Sequence, residues 1–144
     1  MRALVQRVTK ASVSVEGIVL AEIGPGLLVL VGITHTDDEQ RADALARKVA
    51  GLRILRNGDR DDAAAESTAA PLLVISQFTL YGDTTSGRRP SWQAAAPAAV
   101  AEPLVDRFVA ALRGRGLQVH TGRFGALMAV ASINDGPMTL LLEV

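Results

Sequence analysis

Cysteine is absent from the chain. No thiolate nucleophile, disulfide framework or Cys-based zinc or iron–sulfur site is therefore available. Histidine is scarce, with only His35 and His120. Neither sits in a metal-ligand spacing, and both read most simply as structural or surface residues. Charge of one sign does not dominate: 15 Lys and Arg stand against 15 Asp and Glu. That excludes a general polyanion binder and leaves nucleic acid only a local basic patch. No apolar run approaches the ~18 residues that a membrane span needs. Gln6 and Arg7 interrupt the start before the apolar stretch of a secretory leader can form. A cytoplasmic protein with no membrane partner is the expectation. A Walker-type phosphate loop and a dinucleotide fingerprint are also missing. Gly24-x-Gly26 reads as a turn, because no helix follows it. Asp37-Asp38 and Asp61-Asp62 are explained by helix capping and by a solvated loop. No metal and no cofactor is expected.

What is present is ordinary for a globular protein: 49% apolar and 21% charged residues. A chain of about 150 residues hides roughly 68–70% of its unfolded surface, enough for a core without staples. With no linker and no internal repeat, residues 1–144 are expected to form one domain. Residues 2–8 and 12–15 carry strand signals, with Val13 and Val15 alternating against Ser12 and Ser14. Residues 18–23 read as a return strand and 27–33 as a strand buried on both faces. Thr36 and Glu39 fit a capping box for a helix running to about Ala50, with Leu45, Val49 and Leu52 on one face and Gly51 as its end. A strand is expected near 52–55, a tight turn at Asn57-Gly58 and a flexible loop over 59–70. In the second half, 72–80 reads as a strand and 83–91 as a polar loop carrying Arg88 and Arg89. A helix is expected over about 98–113, with Leu104, Phe108 and Leu112 inward and Pro103 near its first turn, where a missing N–H is tolerated. Strands at 117–121, 127–133 and 139–144 follow, the last two joined by a turn at Asn134-Asp135-Gly136-Pro137. Many strands and two main helices predict an α+β fold with a mostly antiparallel, barrel-like sheet.

Two segments could carry chemistry. The chain has only five aromatic rings (three Phe, one Tyr, one Trp), and two fall in Ser76-Gln77-Phe78-Thr79-Leu80-Tyr81. A strand end that turns from apolar to hydroxyls, an amide and rings suits a pocket that stacks on a base and donates backbone hydrogen bonds. The plainer account is a strand end whose Phe78 or Tyr81 fills the core. The second segment is Asn134-Asp135-Gly136-Pro137-Met138-Thr139. It needs no function as a hairpin turn, but glycine lets another molecule approach the backbone closely. A Gly–Pro pair can then present bare carbonyls as a rigid wall.

Taken together, these segments resemble those of the D-aminoacyl-tRNA deacylases (D-Tyr-tRNA deacylases), and the resemblance runs over essentially the whole length. The opening Met1-Arg2-Ala3-Leu4-Val5-Gln6-Arg7-Val8 looks like the family's start. Ser76 to Tyr81 matches its first signature, Gly87-Arg88-Arg89-Pro90-Ser91 a loop it carries, and Asn134 to Thr139 its Gly–cisPro signature. Residues 58–66 lack the Gly-Lys-Met-Asn stretch common in the family, and Leu127 stands where many members have a polar residue. The resemblance implies a deacylase-like fold and hydrolysis of the ester between a D-amino acid and the 3′-terminal adenosine of tRNA. It further implies a homodimer in which Gly136-Pro137 of one subunit enters the other's pocket.

An aminoacyl ester is already activated, so positioning and an oxyanion hole suffice, each donor contributing ~10²–10³ in rate. Ser76, Gln77, Phe78 and Thr79 are the expected catalytic segment, with the backbone N–H groups near Phe78 and Thr79 as donors. Thr79 is also a candidate nucleophile, although no His, Lys or carboxylate adjoins it in sequence to activate it. Asn134, Gly136, Pro137, Met138 and Thr139 are expected to select the D configuration by leaving an L side chain no space. Glycine, with no side chain, should pass. Arg88 and Arg89 are candidate tRNA phosphate contacts. The rivals are a non-catalytic nucleic-acid-binding module stacking bases on Phe78 and Tyr81, and hydrolysis of a different small ester or amide.

Overall fold

The computed structural model describes residues 1–85 and 87–144. Three strands open the chain: β1 (Arg2–Val15), β2 (Ile18–Ile23) and β3 (Gly26–Gly32). Helix α1 (Glu39–Ala50) follows, then the small hairpin β4 (Leu55–Asn57) and β5 (Arg60–Ala63), and a single helical turn α2 (Ala65–Thr68). The second half holds β6 (Leu72–Ser76), a 3-10 turn (Phe78–Tyr81), α3 (Ala98–Arg113), β7 (Val119–Thr121) and β8 (Met128–Glu143). The α+β expectation holds, and the main sheet is nearly closed. Strand β1 is long enough to serve three neighbours antiparallel. Its first half pairs with β3, its second half with β2, and its other edge with β8 along its whole length. Strands β3, β6 and β7 continue the sheet in parallel, and β2 curls round to approach β6 and β7.

The two helices cover one face of this sheet. Helix α1 buries Ala42, Leu45, Ala46, Val49 and Ala50, and α3 buries Ala101, Leu104, Val105, Phe108, Val109 and Leu112. Both stripes follow the 3.6-residue period and meet the inward residues Ala3, Val5, Val29, Val31, Leu72 and Val74. Each fully buried Leu, Val or Phe contributes roughly 1.5–3 kcal/mol. A second apolar cluster, including Val8, Val13, Leu28, Leu73 and Ile75, fills the inside of the curl.

Several expectations need correction. The N-cap of α1 is Asp38, whose carboxylate accepts from the Arg41 N–H at 2.9 Å, rather than Thr36. The adjacent Asp37 is buried and accepts from the Met1 ammonium (2.6 Å) and the Thr34 N–H (2.8 Å). Residues 59–70 are not a loop, and the tight turn falls at Gly58-Asp59 rather than Asn57-Gly58: β5 pairs with β4 across it, Asn57 opposite Arg60, and α2 follows. Alternation is too short there for either element to be read from sequence. Pro103 lies in the second turn of α3, on its exposed face, so the Ala99 carbonyl that it leaves without a helical partner is on the solvent side.

The last correction bears on function. Residues 128–143 form one interrupted strand rather than two strands of a hairpin. Asn134 pairs with Val8 and Thr139 with Gln6, so Asp135–Met138 bulge out opposite Arg7 alone. Both flanks run the same way along β1, whereas a hairpin would reverse the chain. The Asn134 side chain replaces lost ladder bonds, donating to the carbonyls of Arg7 (2.8 Å) and Met138 (3.2 Å). The Gly136–Pro137 peptide within this bulge is cis.

Candidate active site

The predicted strand over 72–80 stops at Ser76. The chain then tightens into the 3-10 turn Phe78–Tyr81, because the Gln77 N–H is held by the Val31 carbonyl (2.7 Å) and the Leu80 N–H by the Gln77 carbonyl (3.2 Å). Gly32 makes this seat possible. A Cβ there would stand 3.0 Å from Leu80 Cβ and 3.1 Å from the Gln77 carbonyl oxygen. Phe78 and Thr79 precede the first i→i+3 bond of the turn, so their N–H groups have no backbone acceptor among the described residues.

Beside this turn is a cavity of about 660 Å³. Ser76, Gln77 and Phe78 line it together with Val31, Ile75 and Phe124, and the segment Gly125–Val130 closes round it. Leu127 at its edge is almost wholly exposed. Apolar walls with a few polar groups on one segment are the usual make-up of a small-ligand site.

Phe78 is 56% exposed and meets Trp92 edge-on, the ring centroids 5.5 Å apart. Tyr81 is not available for stacking. It is buried under the Arg2 guanidinium, 4.5 Å from the ring centroid, and burial together with the Asp37 charge pushes its hydroxyl up to about 12. Trp92, not Tyr81, is thus the second exposed ring, and nothing in the linear spacing of Phe78 and Trp92 announces their contact. The Thr79 hydroxyl is exposed and contacts the Gln77 side-chain amide. Arg88 and Arg89 are exposed on the loop whose ends, Asp83 and Ser91, bond to each other. His35 bonds the Gln93 carbonyl at 2.9 Å, away from the cavity lining. Among the described residues no group of three or more His, Asp or Glu is placed to hold a metal ion.

The second signature lies elsewhere in the chain. None of Asn134–Thr139 lines the cavity. Gly136 and Pro137 are exposed at the crest of the bulge, and Thr139 accepts from the Gln6 amide at 3.1 Å at its foot. Beneath the crest is Arg7, 2% exposed. Its guanidinium donates to the carbonyls of Ile54 (2.8 Å), Asp135 (3.1 Å) and Gly136 (3.5 Å) and to the Asp61 carboxylate (2.6 Å). Asp135 also accepts from Arg56 through both carboxylate oxygens, at 3.0 and 2.9 Å. Those Arg56 bonds, with the Arg7 charge, hold the Asp135 carboxyl below the usual carboxylate range. Sequence reasoning missed Arg7, although the signal was there: Ala3, Val5 and Arg7 share the inward phase of β1, and a cation on that phase needs buried partners.

The comparisons with known proteins decide the family. The sequence model of the family described as D-Tyr-tRNA(Tyr) deacylase matches residues 4–143. The chain belongs to the D-Tyr-tRNA(Tyr) deacylase family. It is 61% identical to a D-aminoacyl-tRNA deacylase of Kineococcus radiotolerans, covering 99% of each chain. A D-aminoacyl-tRNA deacylase of Acidothermus cellulolyticus is also 61% identical, over 100% of this chain and 99% of that one. Among solved structures, a c-Myc DNA unwinding element binding protein superposes with a TM-score of 0.92 at 36% identity, covering 100% of this chain and 99% of that one. A "probable eukaryotic D-amino acid tRNA deacylase" shares the fold, with a TM-score of 0.86 at 16% identity over 99% and 98% of the two chains. The deacylase family resemblance read from the motifs is therefore correct.

Proposed function

We propose that the chain, acting as one cytoplasmic domain of residues 1–144, is a D-aminoacyl-tRNA deacylase. It hydrolyses the ester joining a D-amino acid to the 3′-terminal adenosine of tRNA, and glycyl-tRNA as well. The observation that carries this reading is the Ser76–Thr79 segment, with two free backbone N–H groups beside an apolar cavity, in a chain of this family. The cavity's apolar walls suit a nucleobase, and the turn puts donors at its edge. Water attacks the ester carbonyl carbon, assisted by a ribose hydroxyl of the substrate. The oxyanion gathers on the N–H groups of Phe78 and Thr79, and collapse expels the ribose oxygen, giving free amino acid and tRNA. One such donor is worth ~10²–10³ in rate, which allows a site with no catalytic histidine or cysteine.

Chiral selection falls to the Asn134–Thr139 bulge of a second copy, entering the cavity across a homodimer. Backbone carbonyls of Gly136 and Pro137 against the substrate α-carbon leave no space for an L side chain. Met138 and Thr139 belong to the same wall, and Asn134 braces it through its bonds to Arg7 and Met138. Arg88 and Arg89 contact phosphates of the acceptor end.

The test is hydrolysis of matched D- and L-tyrosyl-tRNA by the purified protein, with glycyl-tRNA alongside. The D ester and the glycyl ester should be lost rapidly and the L ester spared. Equal loss of D and L esters would remove the wall, and survival of glycyl-tRNA would remove the steric account of it. A second reading is favoured by the exposed Phe78–Trp92 pair and the name of the 36%-identical structural relative: a nucleic-acid-binding module. It predicts tight binding of uncharged RNA or DNA and no turnover of any ester.

A further inference from the structure

The two guanidinium groups and two carboxylates under the bulge form a closed ring. Arg7 reaches Asp61 at 2.6 Å, Asp61 reaches Arg56 at 3.5 Å, Arg56 reaches Asp135 at 2.9 Å, and Asp135 returns to Arg7 at 3.0 Å. Charges alternate round it. Two of its four members, Arg56 and Asp61, come from the β4–β5 hairpin, one from β1 and one from the bulge. We propose that the hairpin is a positioning element for the Gly136–Pro137 segment, and that Arg56 and Asp61 thereby set the preference for D over L substrates. This rests on the reading that Gly136–Pro137 screens the substrate α-carbon.

The crest of the bulge is exposed, and its ladder to β1 is interrupted from Asp135 to Met138, so the β-sheet itself does not fix the direction of its carbonyls. The Asn134 amide holds the Met138 carbonyl, and the Arg7 guanidinium reaches those of Asp135 and Gly136. A guanidinium buried this deeply keeps its place only while its counter-charges do. Asp61 supplies one of these. Asp135 supplies the other, and the two-point bond from Arg56 fixes the plane of its carboxylate, as paired guanidinium–carboxylate contacts do. The residue next to Gly136 is thus gripped by its side chain from the hairpin and by its carbonyl from β1. Bracing of the hairpin alone would need only the Arg7 bonds to Ile54 and Asp61. The bonds to 135 and 136 extend the ring to the wall.

The readout is the ratio of kcat/KM for D- and L-tyrosyl-tRNA, in which binding of the common tRNA body cancels. Arg56→Ala should lower this ratio about tenfold, since displacements near 1 Å at a positioned group cost up to ~10²-fold. Arg56 is half-exposed, so this variant keeps the fold. Arg56→Lys should restore only part of the loss, because an ammonium cannot take both oxygens in a fixed plane. Asp61→Asn should lower the ratio as well; if it fails to fold, Arg56→Ala and Arg56→Lys decide. A hairpin that served stability alone would lower the melting temperature in these variants and leave the ratio unchanged. Gly136→Ala separates the two layers of the argument. Its new methyl would meet only the Asn134 Oδ1, at 3.6 Å, so the protomer accepts it and a changed ratio reports on the wall. A ratio altered by Gly136→Ala but untouched by Arg56→Ala overturns the role of the hairpin and keeps the wall. A ratio untouched by both overturns the wall itself.

Discussion

At the scale of single residues, the site is made of groups that are weak acids and bases. The Ser76–Thr79 segment carries two hydroxyls, and that of Thr79, the candidate nucleophile, has the Gln77 amide as its one hydrogen-bonding neighbour among the described residues. An amide N–H donates and cannot take a proton, so among the described residues no base is hydrogen-bonded to the hydroxyl. Thr79→Ala should therefore keep turnover of D-tyrosyl-tRNA within about threefold of the parent, measured under single-turnover conditions. A fall of ~10² or more would assign the hydroxyl a direct part in the reaction and demote the backbone donors. The same scale marks what a sequence conveys and what it does not. Ser76 to Tyr81 stood out because two of the chain's five aromatics fall there; Ser76, Gln77 and Phe78 line the cavity, whereas Tyr81 is buried away from it. Asp37 was read as a cap, but besides the Thr34 N–H it accepts from the Met1 ammonium, 36 residues away. Contacts at that range leave no local pattern.

At the scale of elements, long periodic segments were legible and short ones were not. Helices α1 and α3 carry apolar stripes over three or more turns, and β1 to β3 alternate or run apolar long enough to declare themselves. The β4–β5 hairpin has strands of three and four residues, below the length at which a period can be recognised. Asn134-Asp135-Gly136-Pro137 has turn chemistry in either a hairpin or a bulge. Only its pairing with Gln6 and Val8 of β1 separates the two. The polar loop expected over 83–91 is free of helix and strand over 83–85 and 87–91, Ser86 lying outside the described residues, and Asp83 and Ser91 are tied to each other by the backbone. That tie lets the exposed Arg88 and Arg89 project from a fixed base. If both meet phosphates of the single-stranded acceptor end, each contact releases about 0.7 counterions. The slope of log Kd against log salt for tRNA should then fall by about 1.4 in the Arg88→Ala/Arg89→Ala variant. An unchanged slope would make the loop a solvated surface.

At the scale of the whole molecule, two features of the chain bear on assembly. None of Asn134–Thr139 lines the cavity, and the crest of their bulge is exposed on a strand that, among the described residues, pairs along one edge only. That strand, β8, exposes Ile133 (61%) and Leu141 (59%), with Leu140 and Val130 also open. Exposed apolar residues along an unpaired edge are uncommon in a protein that stays monomeric, because the edge offers free N–H and C=O groups as well as apolar area. A twofold partner covering β8 would bury both, and would present Gly136–Pro137 to a cavity not its own. The link between assembly and activity makes this testable. The parent protein should sediment as a dimer. Leu141→Lys places a charge in the middle of the covered face, and should give a folded monomer with D-tyrosyl-tRNA hydrolysis reduced by ~10² or more, since a buried unpaired charge costs several kcal/mol. Ile133→Lys, on the other side of the bulge, should do the same. A folded monomer that keeps full activity and full D-over-L preference would place the wall and the cavity in one protomer, against the geometry above. A dimer that survives both substitutions would move the interface off β8.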